Sequence, residues 1–179
     1  EAAARLAAWA AAGASEEERA QRQQVVERIG ERATLRDGAS WAEAAEDDNN
    51  DMYWFGVSDE ERKILHDEEA GREVLTVAGD LDLSGLDLIT DLPDNFAIRG
   101  FLTLVNCAAL ASLPSKFGVL RSISMGNCPA IKAISDVRIG YDLSLLDVPN
   151  LESLSKEARL QGISISGAVA STDLLDALL

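Results

Sequence analysis

Two cysteines, one histidine and one dense run of carboxylates are the residues whose types could carry chemistry in this chain of 179 residues. A cysteine nucleophile needs exposure, a depressed pKa and a base within reach. The only imidazole belongs to His66, about 40 residues before Cys107 and further still from Cys128, on a stretch rich in charge. With one histidine and two cysteines, neither a catalytic triad nor a zinc site can be assembled. The acidic run Glu46-Asp47-Asp48-Asn49-Asn50-Asp51 supplies oxygen ligands. A calcium loop also wants ligands at alternate positions, a central Gly and a distal Glu. The run has no Gly and reads as a solvated loop. A phosphate-cradling Gly-rich loop ending in Gly-Lys is absent as well. The segment therefore reads as a non-enzyme with no cofactor, no catalytic residue and no metal site.

The cysteines do belong to a pattern, and the pattern leads to the elements that position them. Apolar triplets recur as Leu81-Asp82-Leu83, Leu102-Thr103-Leu104, Ile123-Ser124-Met125, Leu143-Ser144-Leu145 and Ile163-Ser164-Ile165, with spacings of 21, 21, 20 and 20. Further apolar columns follow each triplet. One holds Leu86, Cys107, Cys128, Val148 and Ala168; the next holds Ile89, Leu110, Ile131 and Leu151; the last holds Leu92, Leu113, Ile134, Leu154 and Leu174. Cys107 and Cys128 thus occupy one inward column as small buried thiols. A disulfide across neighbouring strands about 4.8 Å apart could be spanned, yet the thiols pack equally well as ordinary column residues.

An apolar-x-apolar triplet is a short strand whose outer residues point one way and whose middle residue points the other. One unit cannot bury that face alone, so successive units stack their strands into a parallel sheet over a shared core. Pro93 and Pro114, each directly after a column Leu, fix φ where the chain turns into an extended return. A return of about 16 residues leaves no room for the longer helices of a doubly wound sheet or barrel. The period and the L-x-L-x-x-(N/C/L)-x-x-L phrase resemble the leucine-rich repeat. The expected fold is an α/β solenoid of short, 20–21-residue repeats with a parallel β-sheet, preceded by a helical capping region. The division expected is a cap over 1–72 and a solenoid over 73–179.

Charge narrows the partners. The chain carries 16 basic and 31 acidic residues, a formal net charge of -15. The first 72 residues hold 9 basic and 18 acidic, the rest 7 and 13, so no basic half hides in the average. Nucleic acid and anionic membrane surfaces both need clustered Lys and Arg. No apolar run approaches the roughly 18 residues of a membrane span. The chain begins at Glu1 without Met and stops in mid-pattern at Leu179, which points to a fragment of a protein that continues.

In chain order, the Ala-rich stretch 1–12 reads as a helix stopped at Gly13. Ser15-Glu16-Glu17-Glu18 is a capping box opening a second helix to about Arg32, with Val25, Val26 and Ile29 on its inner face. The two form a helical hairpin. Further capping boxes stand at Ser40 to Glu43 and Ser58 to Glu61, the latter opening a helix to about Ala70. Between them Met52-Tyr53-Trp54-Phe55 is an aromatic cluster expected to pack over the first repeat, with an exposed partner patch as the alternative. Glu73 to Val77 reads as a strand pairing with the first repeat strand. A solenoid needs its core ends covered, and the helices are placed to do so.

Trp9, Gly13, Glu16 to Arg19 and Val25-Val26-Glu27-Arg28-Ile29 resemble the helices preceding the repeats of bacterial type III secreted effectors. The stretches LDLSGLDLITDLPDNF and LTLVNCAALASLPSKF resemble bacterial short leucine-rich repeats. In the best-known group of these effectors a novel-type ubiquitin-ligase domain with a Cys-x-Asp motif follows the repeats. The resemblance implies secretion by a bacterium, action inside a host cell, and a role in virulence through recognition of a host protein. Cys107-Ala108-Ala109 and Cys128-Pro129-Ala130 do not carry that motif, so any ligase chemistry belongs to a downstream domain.

The candidate surface is the outward side of the repeat strands, expected to be concave. Its columns are Asp80, Phe101, Ser122, Asp142 and Gly162; Asp82, Thr103, Ser124, Ser144 and Ser164; and Ser84, Val105, Gly126, Leu146 and Ser166. Phe101, Val105 and Leu146 are apolar where solvation is expected and are candidate anchors for a protein partner, although isolated exposed apolar residues are also ordinary on any surface. The function expected is that of a monomeric protein-interaction module. The alternative is an autoinhibitory or structural scaffold docking on its own downstream domain.

Overall fold

The computed structural model describes residues 2–30, 33–36, 74–77, 79–94, 96–114, 117–119, 121–134, 137–154 and 162–169. Helices α1 (Ala2–Ala11) and α2 (Glu16–Gly30) come first. The strands follow: β1 (Ala33–Arg36), β2 (Val74–Val77), β3 (Leu81–Asp82), β4 (Phe96–Ile98), β5 (Leu102–Val105), β6 (Phe117–Val119), β7 (Ile123–Gly126), β8 (Ala133–Ile134), β9 (Val137–Ile139), β10 (Asp142–Val148), β11 (Ser153–Leu154) and β12 (Gly162–Val169). The capping boxes at Ser40 and Ser58, the acidic run, the aromatic cluster, His66 and Leu174 lie outside the described residues.

The triplets lie side by side. Leu102 pairs with Leu81 and with Ile123, Leu143 pairs with Ile123 and with Ile163, all in parallel. They build a first sheet in the order β12-β10-β7-β5-β3. Among the described residues the return path includes further strands. It runs through a second sheet, ordered β1-β2-β4-β6-β9, and through the short pair β8-β11. Within the second sheet Phe96, Phe117 and Val137 stack in register, as do Ile98, Val119 and Ile139. The architecture is a parallel-strand β-solenoid of about four turns with two helices at its N-terminal end. The expected α/β class is corrected: the solenoid is mostly β, because the first three returns each supply an apolar-x-apolar triplet that buries a second wall of the core.

That core is one cluster. Leu81, Leu83, Leu102, Leu104, Ile123, Met125, Leu143 and Leu145 project into it from the first sheet. Phe96, Ile98, Phe117, Val119, Val137 and Ile139 face them from the second. The Phe96 and Phe117 rings sit 5.7 Å apart and tilted by 38°, a favourable offset for aromatic neighbours. The expected pairing of residues 73–77 with the first repeat strand is also corrected. Strand β2 joins the second sheet, parallel to β4 and antiparallel to β1. Gly79 and Asp80 lead the chain into β3.

Each coil turns at the same place by the same device. Gly85, Asn106, Asn127, Asp147 and Gly167 all have positive φ, between 50° and 80°. Gly has no Cβ to clash there, and Asn and Asp tolerate the left-handed region better than other residues. The Asn127 side-chain amide donates to Asn106 Oδ1 at 2.8 Å, tying two turns together.

The helical hairpin forms as its sequence suggests. Ser15 Oγ accepts from the Glu18 N–H at 3.0 Å. The returning bond of Glu18 reaches the Ala14 N–H at 2.7 Å, one residue earlier than a capping box requires. At Gly13 a Cβ would stand 2.8 Å from Arg19 Cγ and 2.9 Å from Arg19 N, so the hairpin turn has room only for glycine. Val25 and Ile29 are fully buried, with Val26 partly so. The same helix face also buries Glu18 and Arg22.

Candidate functional site

The three outward columns exist as drawn from the sequence, and their members are not alike. Thr103, Ser124, Ser144 and Ser164 stand in register across β5, β7, β10 and β12, and Asp82 heads the row on β3. Neighbouring members of such a row lie about 4.8 Å apart. Ser124, Ser144 and Ser164 are exposed and Thr103 is half-buried.

The first column is divided between two jobs. Asp80 Oδ1 accepts the Phe101 N–H at 2.8 Å, and Ser122 Oγ accepts the Asp142 N–H at 3.2 Å. In both cases the side chain of one coil satisfies a backbone donor of the next. Such bonds brace the solenoid, so Asp80 and Ser122 each spend an acceptor on holding coils together. Ser84 does likewise, accepting the Val105 N–H at 3.1 Å. Asp82 accepts the Ser84 N–H at 2.9 Å. Its carboxyl is held below the usual aspartate range first by the Ser84 hydroxyl, then by the Ser84 backbone, with Arg28 adding to the effect.

The apolar members separate too. Phe101 and Leu146 are each 51% exposed, a large fraction for apolar side chains on a sheet. Val105 is half-buried: its methyls lie 3.6 and 3.7 Å from where a Cβ on Gly126 would stand, so it leans over the glycine of the next coil. Val105 is therefore less an anchor than a lid over Gly126. Phe101 precedes β5, and Leu146 lies two strands away and four residues along from the Phe101 level. At about 3.3 Å per residue and 4.8 Å per strand, the two are roughly 16 Å apart on a diagonal. The arrangement offers two separate apolar contacts joined by a band of hydroxyls.

One end of this face is fastened to the helices. Arg28 Nη1 donates to the carbonyls of Asp82 and Ser84 at 3.1 and 3.3 Å. Gln21 donates to Asp87 at 2.6 Å and accepts from the Leu88 N–H at 2.8 Å. Arg22 is the centre of a buried network. It meets Glu18 at 2.9 Å and Asp91 at 2.7 Å, donates to the Trp9 carbonyl at 2.8 Å, and lies 4.8 Å over the Trp9 ring. Glu18 is held below its ordinary value first by the Ala14 N–H and then by Arg22. Sequence reasoning missed Glu18 and Arg22 as buried groups. Their spacing of four on the same helix face as Val25 and Ile29 was the available signal.

The two cysteines are buried, free thiols. Cys107 Sγ donates to the Leu83 carbonyl at 3.4 Å and Cys128 Sγ to the Leu104 carbonyl at 3.4 Å. The Cys107 thiol is held above its ordinary value, first by the neighbouring Cys128 sulfur and then by burial. Among the described residues no group of three or more His, Cys, Asp or Glu side chains could hold a metal ion. No described helix is long and apolar enough to cross a membrane. Compared with protein-family models, curated proteins and solved structures, the chain matches none.

Proposed function

We propose that the first sheet of the solenoid is a protein-binding face, with Phe101 and Leu146 as its two anchors and Thr103, Ser124 and Ser144 as the polar ground between them. The observation that carries the reading is the 51% exposure of both apolar side chains on a surface made mostly of hydroxyls, acids and glycine, with Val105 half-buried. Interfaces draw most of their energy from a few well-placed large side chains surrounded by near-neutral contacts. Two anchors about 16 Å apart suit a partner covering roughly 800 Å² of this chain. The net charge of -15 favours a partner with a basic surface, which would be steered to the sheet by long-range attraction.

The repeat phrase and the preceding helices support placing the chain among bacterial secreted leucine-rich-repeat effectors, with this segment choosing the host target of a longer protein. The helices then serve as the N-terminal cap, with the Arg22 network as the fastening. The test is retention of host-lysate proteins by the immobilised chain and by Phe101→Asp and Leu146→Asp variants. Leu88→Asp is the control, because Leu88 is 41% exposed but lies in the turn beside α2, off the sheet. Loss with either face variant and retention with the control is the expected result. Equal retention by all four proteins refutes the face as the binding site.

A further inference from the structure

We propose that the outward face of the first sheet is a trough for a single amphipathic helix with basic flanks, held between Phe101 and Leu146. The inference rests on the binding face proposed above and adds the shape and charge of its partner. Strand register sets the geometry. Thr103, Ser124 and Ser144 stand opposite one another on β5, β7 and β10. Phe101 lies two residues before Thr103, and Leu146 lies two residues after Ser144. Ser124 is therefore the midpoint of the diagonal joining the two exposed apolar side chains. The other diagonal through Ser124 runs from Asp142 to Val105, and it stays low, since Ser124 is short and Val105 leans over Gly126. The two posts stand roughly 16 Å apart. A helix with its side chains is about 10–12 Å across, so one helix fits between them along the low diagonal.

Backbone bookkeeping selects a helix over an extended segment. Strands β5, β7 and β10 each have a strand on both sides, so the backbone of the floor pairs within its own sheet. An extended segment laid on that floor would bring its own N–H and C=O groups to a surface offering only scattered side-chain oxygens. A helix satisfies its backbone internally and asks of the floor only close contact, which short side chains permit. Phe101 and Leu146 then meet its two sides, as in helix-in-groove recognition. The charge of the partner follows from the same columns, which hold Asp80, Asp82 and Asp142 and no lysine or arginine. Asp142 stands at one mouth of the trough and Asp82 beside Thr103, and both are exposed. Lysine or arginine flanking the apolar stripe of the helix would meet these carboxylates, which sets orientation and speeds encounter.

The experiment titrates the whole chain into dye-labelled peptides of about 18 residues, long enough to hold a helix, and reads fluorescence anisotropy. The first peptide has an Ala and Leu stripe flanked by Lys, the second carries a central Pro, and the third has Glu in place of Lys. Saturable binding of the first peptide is expected, weakened by salt, with the other two at least about tenfold weaker. Phe101→Asp, Leu146→Asp and Ser124→Trp should each weaken it by about tenfold or more, while Leu88→Asp should bind as the parent chain does. Ser124→Trp is the decisive variant, because it adds apolar surface yet fills the floor; Ser144→Trp serves the same purpose where the first does not fold. Three results overturn the proposal: no saturable binding of the first peptide, equal binding of the Pro peptide, or unchanged binding by a floor-filled variant. Host-lysate proteins lost with Phe101→Asp and Leu146→Asp but kept by Ser124→Trp would leave the face standing and remove the trough.

Discussion

Replacing Arg22 by Met is expected to loosen the helical hairpin from the first coil, and its cost can be worked from the contacts. The guanidinium meets Glu18 through Nε at 3.1 Å and Nη2 at 2.9 Å, and Asp91 through Nη2 at 2.7 Å. It also satisfies the Trp9 carbonyl at 2.8 Å. The side chains of Arg22 and Glu18 are 7% and 8% exposed, whereas Asp91 is 47% exposed. Removing one partner of a buried pair costs about 3–5 kcal/mol, because the other charge stays buried and uncompensated. Asp91 can turn to water, and Glu18 keeps the Ala14 N–H and the Thr90 hydroxyl. The low end, about 3 kcal/mol, is therefore expected. At about 2–4 °C per kcal/mol for a chain of this size, the melting temperature should fall by roughly 6–12 °C.

The pH dependence identifies the cause. Glu18 has a folded pKa below its unfolded value, so its stabilising contribution is present above the unfolded pKa and lost as pH falls through the folded one. Without Arg22 the folded pKa rises, and protonation relieves the stranded charge. The gap between variant and wild type should be full at pH 7 and shrink below about pH 4.5, the ordinary glutamate value. Urea unfolding at pH 7, 5 and 3.5 measures it. A gap under about 1 kcal/mol at pH 7, within the range of an exposed pair, or one that does not change with pH, would refute the buried-network account.

Substitutions at three further positions test the solenoid itself. Asn127→Ala, at φ 50° and without the bond to Asn106, should destabilise by about 1–2 kcal/mol, while Asn127→Gly should recover most of the loss; urea midpoints distinguish them. Phe117→Ala empties a fully buried site between the sheets and should cost about 3–5 kcal/mol by chemical denaturation, with the binding face intact in whatever protein remains folded. Asp80→Ala leaves the Phe101 N–H without its acceptor; a loss of about 1 kcal/mol with unchanged partner retention is expected, and lost retention at full stability would assign Asp80 a binding role instead.

Much of the first sheet was legible in the linear chain, for a physical reason. An inward column repeats because every coil must present the same apolar side chain to the same core, and a fixed period of about 20 makes that visible. The turn column of Gly85, Asn106, Asn127, Asp147 and Gly167 was not read from the chain, although Gly, Asn and Asp recurring at one place were the available signal, since left-handed backbone accepts few residue types. The second sheet was harder to see. Its triplets, Phe96-Ala97-Ile98 and Phe117-Gly118-Val119 among them, are three residues long, too short to set strand against coil by alternation alone.

What the sequence determined by itself was the winding: which residues face inward, and how many per turn. What only the tertiary structure decided was how each polar side chain is spent. Asp80, Ser84 and Ser122 share the outward face with Ser124 and Ser144, yet they give their oxygens to backbone donors of the next coil. Glu18 and Arg22 look like ordinary charges on a helix and are buried against Asp91, 69 residues beyond Arg22. Periodicity assigns a residue to a face; the distance to a partner one coil or one hairpin away is set only when the chain has closed on itself.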